Sequence, residues 1–188
     1  ILFIIGLKDD LVVLSAKVKF FAQLLTAAFL LFDNNMHVLD LHGFIGIDHI
    51  PFVLTIALTC LIIAGIINAI NLVDGLDGLA AGLVLSSTVA FALIFLYTGY
   101  YFSFLLSISS IGCILGFLPY NLSQKKKIFM GDTGSMLMGF LLAFVYILLF
   151  ILSRTFAETG TEYPIFAVWL PNIVFALTGL VLYKTVPR

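Results

Sequence analysis

Long apolar runs set the first limit on what this chain can fold into. They cover most of its 188 residues. The runs are residues 1–7, 20–32, 50–70, 79–97, 100–120, 136–152 and 165–183. A helix of about 20 apolar residues crosses the hydrocarbon core of a bilayer, and charged residues make up only 10% of the chain. We therefore expect an all-α polytopic integral membrane protein, with about six transmembrane helices after a partial first one.

The basic residues predict how these helices are oriented. If the connection at 8–19 faces the cytoplasm and the helices alternate in direction, the connections at 71–78 and 121–135 and the segment at 184–188 face it too. Eight of the nine Lys and Arg residues then lie inside, and Arg154 lies outside. This distribution satisfies the rule that cytoplasmic loops of membrane proteins carry the excess of positive charge. The chain lacks the basic face that nucleic acid requires, so we expect no nucleic-acid partner.

The outer connections carry polar residues for which we predict structural roles. Residues 36–47 alternate apolar and polar side chains, a pattern that predicts a small periplasmic hairpin. Three histidines lie in or beside it, out of reach of the inner carboxylates, and we interpret them as surface residues: His37, His42 and His49. Both cysteines lie inside apolar runs, where we interpret them as core residues rather than disulfide or zinc sites.

Half of the ten acidic residues lie on the predicted inner side, all at points where an apolar run meets water. They are Asp9, Asp10, Asp74, Asp77 and Asp132. Carboxylates gathered in one place disfavour one another's ionisation unless a cation lies near them. A divalent metal that also binds the phosphates of a substrate is the simplest such cation. The pattern therefore predicts a metal-assisted site for a phosphate-rich substrate at the inner face, although adjacent carboxylates at a helix end also occur as plain solvated charges.

The middle segment repeats polar side chains every three residues, at Asn68, Asn71, Asp74 and Asp77. Neighbours at that spacing share a face of a helix, and polar side chains that face lipid are costly. A helix cap followed by a turn is the simpler interpretation, but a cap needs fewer Asn and Asp residues. We therefore predict that this face lines a binding or catalytic site.

The last segment, Gly-Asp-Thr-Gly-Ser at 131–135, opens a helix predicted to begin near Met136. Free backbone N–H groups at a helix N-terminus suit phosphate oxygens, while Asp132 would hold Mg²⁺ and Thr133 and Ser135 offer hydroxyls. A simple N-cap is the alternative. We interpret the lysines at 125–127 as a topology signal, with attraction of an anionic substrate or lipid headgroup as the alternative.

Together these segments resemble the polyprenyl-phosphate N-acetylhexosamine-1-phosphate transferases. The similarity rests on residues 6–10 (Gly-Leu-Lys-Asp-Asp) with 14–19, on 68–78 and on 129–135, in that order and spacing. The resemblance implies that a polyprenyl phosphate attacks the β-phosphate of a UDP-N-acetylhexosamine and releases UMP, with Mg²⁺, or Mn²⁺ in its place, as cofactor. It also implies a homodimer in the bacterial inner (cytoplasmic) membrane, with the active site on the cytoplasmic face.

The resemblance assigns a role to each matching residue. The catalytic set is Asp9, Asp10, Asp74 and Asp77. In it, Asp9 is the base for the lipid phosphate and Asp10 supports the metal or the lysines. Asp132 is the main Mg²⁺ ligand. The substrate-binding set is Lys19, Asn68, Asn71, Phe129 and Thr133. Within that set, Phe129 stacks on uracil and Lys19 pairs with phosphate.

Departures from that family shape what we expect of this chain. Val13 stands where the GlcNAc-type members often carry a further acid after the first motif. No histidine follows His49, although the family carries a His-rich cytoplasmic loop near its C-terminus. The family's first helices have no counterpart here either. We therefore expect residues 1–188 to form a single transmembrane transferase domain that is incomplete at both ends.

The first loop is compact, with Leu14-Ser15-Ala16 close after Asp10, and in this it resembles the GlcNAc-type members of the family. The resemblance implies transfer of GlcNAc-1-phosphate from UDP-GlcNAc to undecaprenyl phosphate, the first step of lipid-linked cell-envelope glycan synthesis, rather than the muramoyl-pentapeptide reaction. Two alternatives stay open, namely a catalytically inactive fragment of such an enzyme and a membrane ion transporter. A transporter would carry its acids near the middle of its spans, whereas the five inner acids here lie at helix ends.

Overall fold

The chain folds into a bundle of α-helices. The computed structural model describes residues 1–31, 51–75, 78–158, 172–173 and 176–177. Six helices lie within these described residues: α1 (Leu2–Leu11), α2 (Ala16–Leu30), α3 (Phe52–Val73), α4 (Leu79–Thr98), α5 (Tyr101–Asn121) and α6 (Gly131–Glu158). No strand occurs among the described residues, which confirms the all-α prediction for that part of the chain. The hairpin predicted at 36–47 lies outside the described residues.

Four of these helices are long and apolar enough to cross a membrane. They are α3, α4, α5 and the part of α6 from Gly131 to Ser153. The start of α6 differs from the prediction, because the helix begins at Gly131 and not near Met136. The polar residues at its start are helical because side chains from elsewhere accept their N–H groups, which the hydrophobic pattern alone does not reveal.

Helix α6 lies at the centre of the bundle, with α1, α3 and α4 packed along it. Two apolar clusters fill the space around α6. One includes Leu2, Ile63, Ile67, Met136 and Ile147. The other includes Val84, Phe91, Phe95, Ile114, Leu142 and Leu149. The backbones of α3 and α6 approach closely at Gly139, where an added Cβ would lie 2.7 Å from the Ile67 Cα atom.

The up-and-down order of the helices determines where the polar motifs meet. The ends of α1, α3 and α5 and the starts of α2, α4 and α6 lie at the same end of the bundle. Hydrogen bonds join these ends directly, such as Asn71 to Asp132 and Gly78 to Asn121. The three Asp motifs, far apart in sequence, are therefore brought together at one end.

Candidate active site

The first two carboxylates of the site have different partners, although they are adjacent in sequence. Asp9 is buried, with 7% of its surface exposed. Its Oδ2 accepts a hydrogen bond from Lys19 Nζ at 2.7 Å, and its Oδ1 accepts one from the Leu14 N–H. Burial raises the pKa of Asp9, but these hydrogen bonds outweigh it and hold the pKa below its ordinary value.

Asp10 caps the N-terminus of α6. Its Oδ1 accepts the Asp132 N–H at 2.8 Å, and its Oδ2 accepts the Thr133 N–H at 3.1 Å and the Thr133 hydroxyl. Burial raises the pKa of Asp10, but the hydrogen bonds from Thr133 and Asp132 lower it further than burial raises it. The N–H groups that the sequence suggested were free for phosphate are therefore occupied by this carboxylate.

A close helix crossing places Asp10 over α6. An added Cβ at Gly6 would lie 2.5 Å from the Thr133 Cα atom, so α1 touches the backbone of α6 at its first turn. Gly6 lies one turn before Asp10 on α1, which puts both residues on the same face of the helix. The glycine and the carboxylate therefore act together in joining these two helices.

Lys19 joins the first motif to the third. Its Nζ lies 2.7 Å from Asp9 Oδ2 and 3.3 Å from Asp132 Oδ1. The same Asp132 oxygen accepts a hydrogen bond from Asn71 Nδ2 at 2.6 Å. The lysine side chain is 25% exposed and the Asp132 side chain 29%. A carboxylate–ammonium–carboxylate group thus forms the centre of the site, and one side of it is open to solvent.

The polar residues of the middle motif separate to different partners. Asn68 bonds to α2, Asn71 bonds to Asp132, and Asp74 accepts the Gly131 N–H at 3.1 Å. Three residues are less than one helical turn, so successive side chains rotate by about 60° around the helix. Asp77 lies outside the described residues. The polar side chains of α3 that were predicted to share one face therefore point in different directions, some toward α2 and others toward α6.

Asp74 is a buried carboxylate at the end of α3, with 8% of its surface exposed. Burial raises its pKa above the ordinary value, and the N–H groups of Gly131 and Met130 offset only part of that effect. Like Asp10, it holds the start of α6. Two of the four carboxylates predicted to be catalytic thus have hydrogen bonds to the backbone at this helix start.

Three further polar residues belong to the site, and the sequence analysis selected only one of them, Ser135, as a hydroxyl of the third motif. Asn121, at the end of α5, accepts the Gly78 N–H at 2.7 Å and donates to the Ile128 carbonyl at 2.9 Å. Ser135 accepts a hydrogen bond from Asn71 at 2.8 Å. Gln23 bonds to Asn68. Each is a polar side chain inside or at the end of an apolar run, and this position in the sequence is the feature that could have identified it.

Phe129 lies in the connection before α6. Its side chain is exposed, at 53%, and Lys127 Nζ lies 5.1 Å from the centre of its ring. That distance allows a cation–π contact. The ring is thus accessible to a planar ligand, and its stacking on uracil stays a prediction.

The donor set can be compared with the needs of a metal ion. Among the described residues, no group of three or more His, Cys, Asp and Glu side chains is arranged to hold one. Asp9 and Asp132 are nevertheless held on either side of one ammonium. Mg²⁺ prefers oxygen ligands and is usually bound by one or two carboxylates together with substrate phosphates. An ion at Asp132 would therefore need further oxygen ligands from a bound molecule, and Mg²⁺ binding stays a prediction.

Two curated proteins have sequences similar to that of this chain. The chain is 36% identical over 207 residues to the phospho-N-acetylmuramoyl-pentapeptide-transferase of Staphylococcus saprophyticus, a match that covers 98% of this chain and 62% of that protein. It is also 36% identical over 192 residues to the probable undecaprenyl-phosphate N-acetylglucosaminyl 1-phosphate transferase of Bacillus subtilis, covering 98% of this chain and 51% of that protein.

The chain thus spans between 51% and 62% of the length of these curated relatives. Residues 1–150 match a family-wide sequence pattern, and this segment contains all three Asp motifs and the lysine that joins two of them. Taken with the two relatives, the match shows that the chain belongs to glycosyl transferase family 4.

Proposed function

We propose that this chain transfers a sugar-1-phosphate from a UDP-N-acetylhexosamine to undecaprenyl phosphate and releases UMP. GlcNAc-1-phosphate is the favoured group. The observation that carries the proposal is the Lys19 ammonium between Asp9 and Asp132, at the end of a bundle of apolar helices. The names of the two relatives support it, since both are transferases of phosphorylated amino sugars.

Asp9 is the proposed general base for the lipid phosphate. Its lowered pKa keeps the carboxylate ionised at neutral pH and also makes it a weak base. Little basicity is needed, because a phosphate monoester loses its second proton at about pH 6 and is mostly a dianion at neutral pH. In this proposal Asp9 accepts that proton, and Lys19 then pairs with the attacking phosphate oxygen.

The metal is assigned to Asp132. Its carboxylate is partly open to solvent, and Asn71 and Lys19 orient it through one oxygen. Mg²⁺, or Mn²⁺ in its place, would supply charge neutralisation at the diphosphate. Asn71 would keep the Asp132 carboxylate in one orientation toward the substrate. Asp10 and Asp74 would hold the helix start on which Asp132 lies.

The proposed location is the bacterial inner membrane, with the site on the cytoplasmic face. The positive charges support this orientation, because Lys8, Lys17, Lys19 and the lysines at 125–127 belong to the connections next to the site. We assign the first step of lipid-linked cell-envelope glycan synthesis to this location. We also propose that the protein assembles as a homodimer.

A muramoyl-pentapeptide donor is the second candidate. The relative of that type and the GlcNAc-type relative have the same identity to this chain, 36%. The choice of UDP-GlcNAc rests on the short connection between α1 and α2, which places Lys19 only 10 residues from Asp9. The two donors differ in size by a pentapeptide, so a direct comparison separates them.

The test is transfer of labelled GlcNAc-1-phosphate from UDP-GlcNAc to undecaprenyl phosphate by the purified protein, with and without Mg²⁺. UDP-N-acetylmuramoyl-pentapeptide is the parallel donor. We expect a Mg²⁺-dependent product that Asp132→Asn abolishes, while Ser109→Ala, on the exposed side of α5, leaves the rate unchanged. Wild-type turnover by Asp132→Asn would disprove the metal assignment. Absence of product with both donors would favour the catalytically inactive alternative.

A further inference from the structure

An amide pair joins α2 to α3 just inside the candidate active site. Gln23 lies on α2 and is almost fully buried, at 1% exposed. Its Nε2 donates to Asn68 Oδ1 at 3.3 Å, and Asn68 Nδ2 donates to Gln23 Oε1 at 2.6 Å. The two side chains therefore form a closed, reciprocal pair between the two helices.

The Asn68 amide is engaged at both ends. Besides the bonds with Gln23, its Nδ2 donates to the Ala64 carbonyl at 2.8 Å. The oxygen and both N–H groups of the amide thus have partners within the protein. This arrangement differs from the substrate-binding role that the family resemblance gave to Asn68, and it points to a structural link between α2 and α3.

The pair lies in register with the centre of the site. Gln23 follows Lys19 by four residues on α2, and Asn68 precedes Asn71 by three residues on α3. Side chains at those spacings are neighbours on a helix surface. Lys19 and Asn71 both reach Asp132 Oδ1, at 3.3 and 2.6 Å. The amide pair therefore lies one helical turn below the point where the two helices meet Asp132.

We propose that Gln23 is a positioning residue of the active site. Its pair with Asn68 fixes how far α2 slides along α3, and so keeps Lys19 between Asp9 and Asp132. Amide pairs suit this purpose among apolar helices. If the pair is broken there, no water is available to form the lost hydrogen bonds. The effect on turnover rests on the proposed function, whereas the effect on Lys19 does not.

The first test measures Lys19 without reference to activity. Acylation of the Lys19 amine by a water-soluble reagent is followed by peptide mass spectrometry, with Lys125 as the internal reference. We expect Gln23→Leu to speed acylation of Lys19 by up to about tenfold, which corresponds to one net hydrogen bond. Thr26→Val is the matched control on α2, since it removes a hydroxyl that bonds to Ala22 of the same helix. Its Lys19 should react at the unaltered rate.

The second test exchanges the two amides. The double variant Gln23→Asn with Asn68→Gln keeps the number of atoms that span the two helices. We expect it to restore the slow acylation of Lys19, while each single substitution stays fast. If Gln23→Leu does not fold, acylation of Lys19 in the double variant alone tests the role of the amide pair. Slow acylation of its Lys19 supports the pair, and acylation as fast as in denatured protein overturns it.

The third test measures turnover. Displacement of a catalytic group by about 1 Å costs on the order of 100-fold in rate, so we expect Gln23→Leu to lower kcat by about 10- to 100-fold. The KM for the UDP-sugar should change little, because Gln23 does not touch the open side of the site. Unchanged kcat together with unchanged Lys19 acylation in Gln23→Leu would overturn the proposal. Should the unaltered protein show no transfer, the proposed function fails, and acylation still decides the role of Gln23.

Discussion

The Asp132 N–H donates to the Asp10 carboxylate at 2.8 Å, so the first acidic motif caps the helix that begins with the third. A carboxylate at a helix N-terminus satisfies backbone donors and interacts favourably with the helix dipole. Asp10 is adjacent to the proposed base, yet its oxygens are directed to the backbone of α6. Its contribution to function therefore passes through the position of Asp132.

Asp10→Ala should destabilise the protein by about 1–2 kcal/mol, because α6 loses its cap. Asp10→Asn should lose less, since one acceptor oxygen remains for the Asp132 N–H. The measurement is the thermal midpoint in detergent, together with transfer activity. We expect both the thermal midpoint and the transfer activity to be highest for the unaltered protein, lower for Asp10→Asn and lowest for Asp10→Ala. Two variants as stable as the unaltered protein would contradict the capping role.

The effect of Asp10 should depend on pH in a defined direction. The folded protein lowers the pKa of Asp10, so its ionised form stabilises the fold above the pKa of the unfolded chain, near 3.9. That contribution is lost as the pH falls through the lower pKa of the folded state. The difference in thermal midpoint between unaltered protein and Asp10→Asn should therefore be largest near pH 6 to 7 and shrink below about pH 4. A difference that grows on acidification would contradict this sign.

Lys19→Met should lower the transfer rate by about 100-fold or more, the usual cost of removing a donor that stabilises developing charge. The substitution leaves Asp9 and Asp132 without the ammonium between them. Lys17→Met provides the control, because that lysine is exposed on the same helix. The measurement is kcat/KM for the UDP-sugar with each variant. Equal losses in both variants would indicate a general effect of positive charge.

Gly6→Ala should disrupt the crossing of α1 and α6, since the new methyl group would lie 2.5 Å from the Thr133 Cα atom. Overpacking of this kind costs about 1–3 kcal/mol. Gly65→Ala is the matched control, because an added Cβ at Gly65 meets nothing within 4 Å. The thermal midpoint should fall for Gly6→Ala and stay the same or rise for Gly65→Ala. If Gly6→Ala and Gly65→Ala have identical midpoints, α1 moves away from α6 without loss of stability, which contradicts the prediction.

The sequence predicted where the motifs meet, because helix order alone decides which ends of a bundle are neighbours. Lys19 joins Asp9 to Asp132, and Asn71 bonds to Asp132 directly, so all three motifs meet at one end of the bundle. Their individual contacts were less predictable. Which face of α1 turns toward α6 depends on the packing at Gly6, and no periodicity in 10 helical residues reveals it. The cap formed by Asp10 was missed for this reason.

Other parts of the site depend on distances that a one-dimensional pattern does not contain. Gln23 is one of two polar residues in the apolar run at 20–32, and only the approach of α2 to α3 identifies Asn68 as its partner. The same holds for Asn121, whose two bonds join the start of α4 to the connection before α6. Buried amides of this kind mark places where helices are joined, and their partners follow from the fold.

The carboxylates around Lys19 outnumber its single positive charge, and this imbalance has a thermodynamic consequence. The UDP-sugar of the proposed reaction would bring further negative charge to the same place, so the nucleotide alone would meet electrostatic repulsion from Asp9 and Asp132. The proposed divalent ion at Asp132 would alone meet repulsion from the Lys19 ammonium, which lies 3.3 Å from that carboxylate. The positive ion would lessen the repulsion that the nucleotide meets, and the negative nucleotide would lessen the repulsion that the ion meets. Linkage requires that both affinities rise by the same factor, so on the proposed function the metal and the nucleotide sugar bind as a cooperative pair.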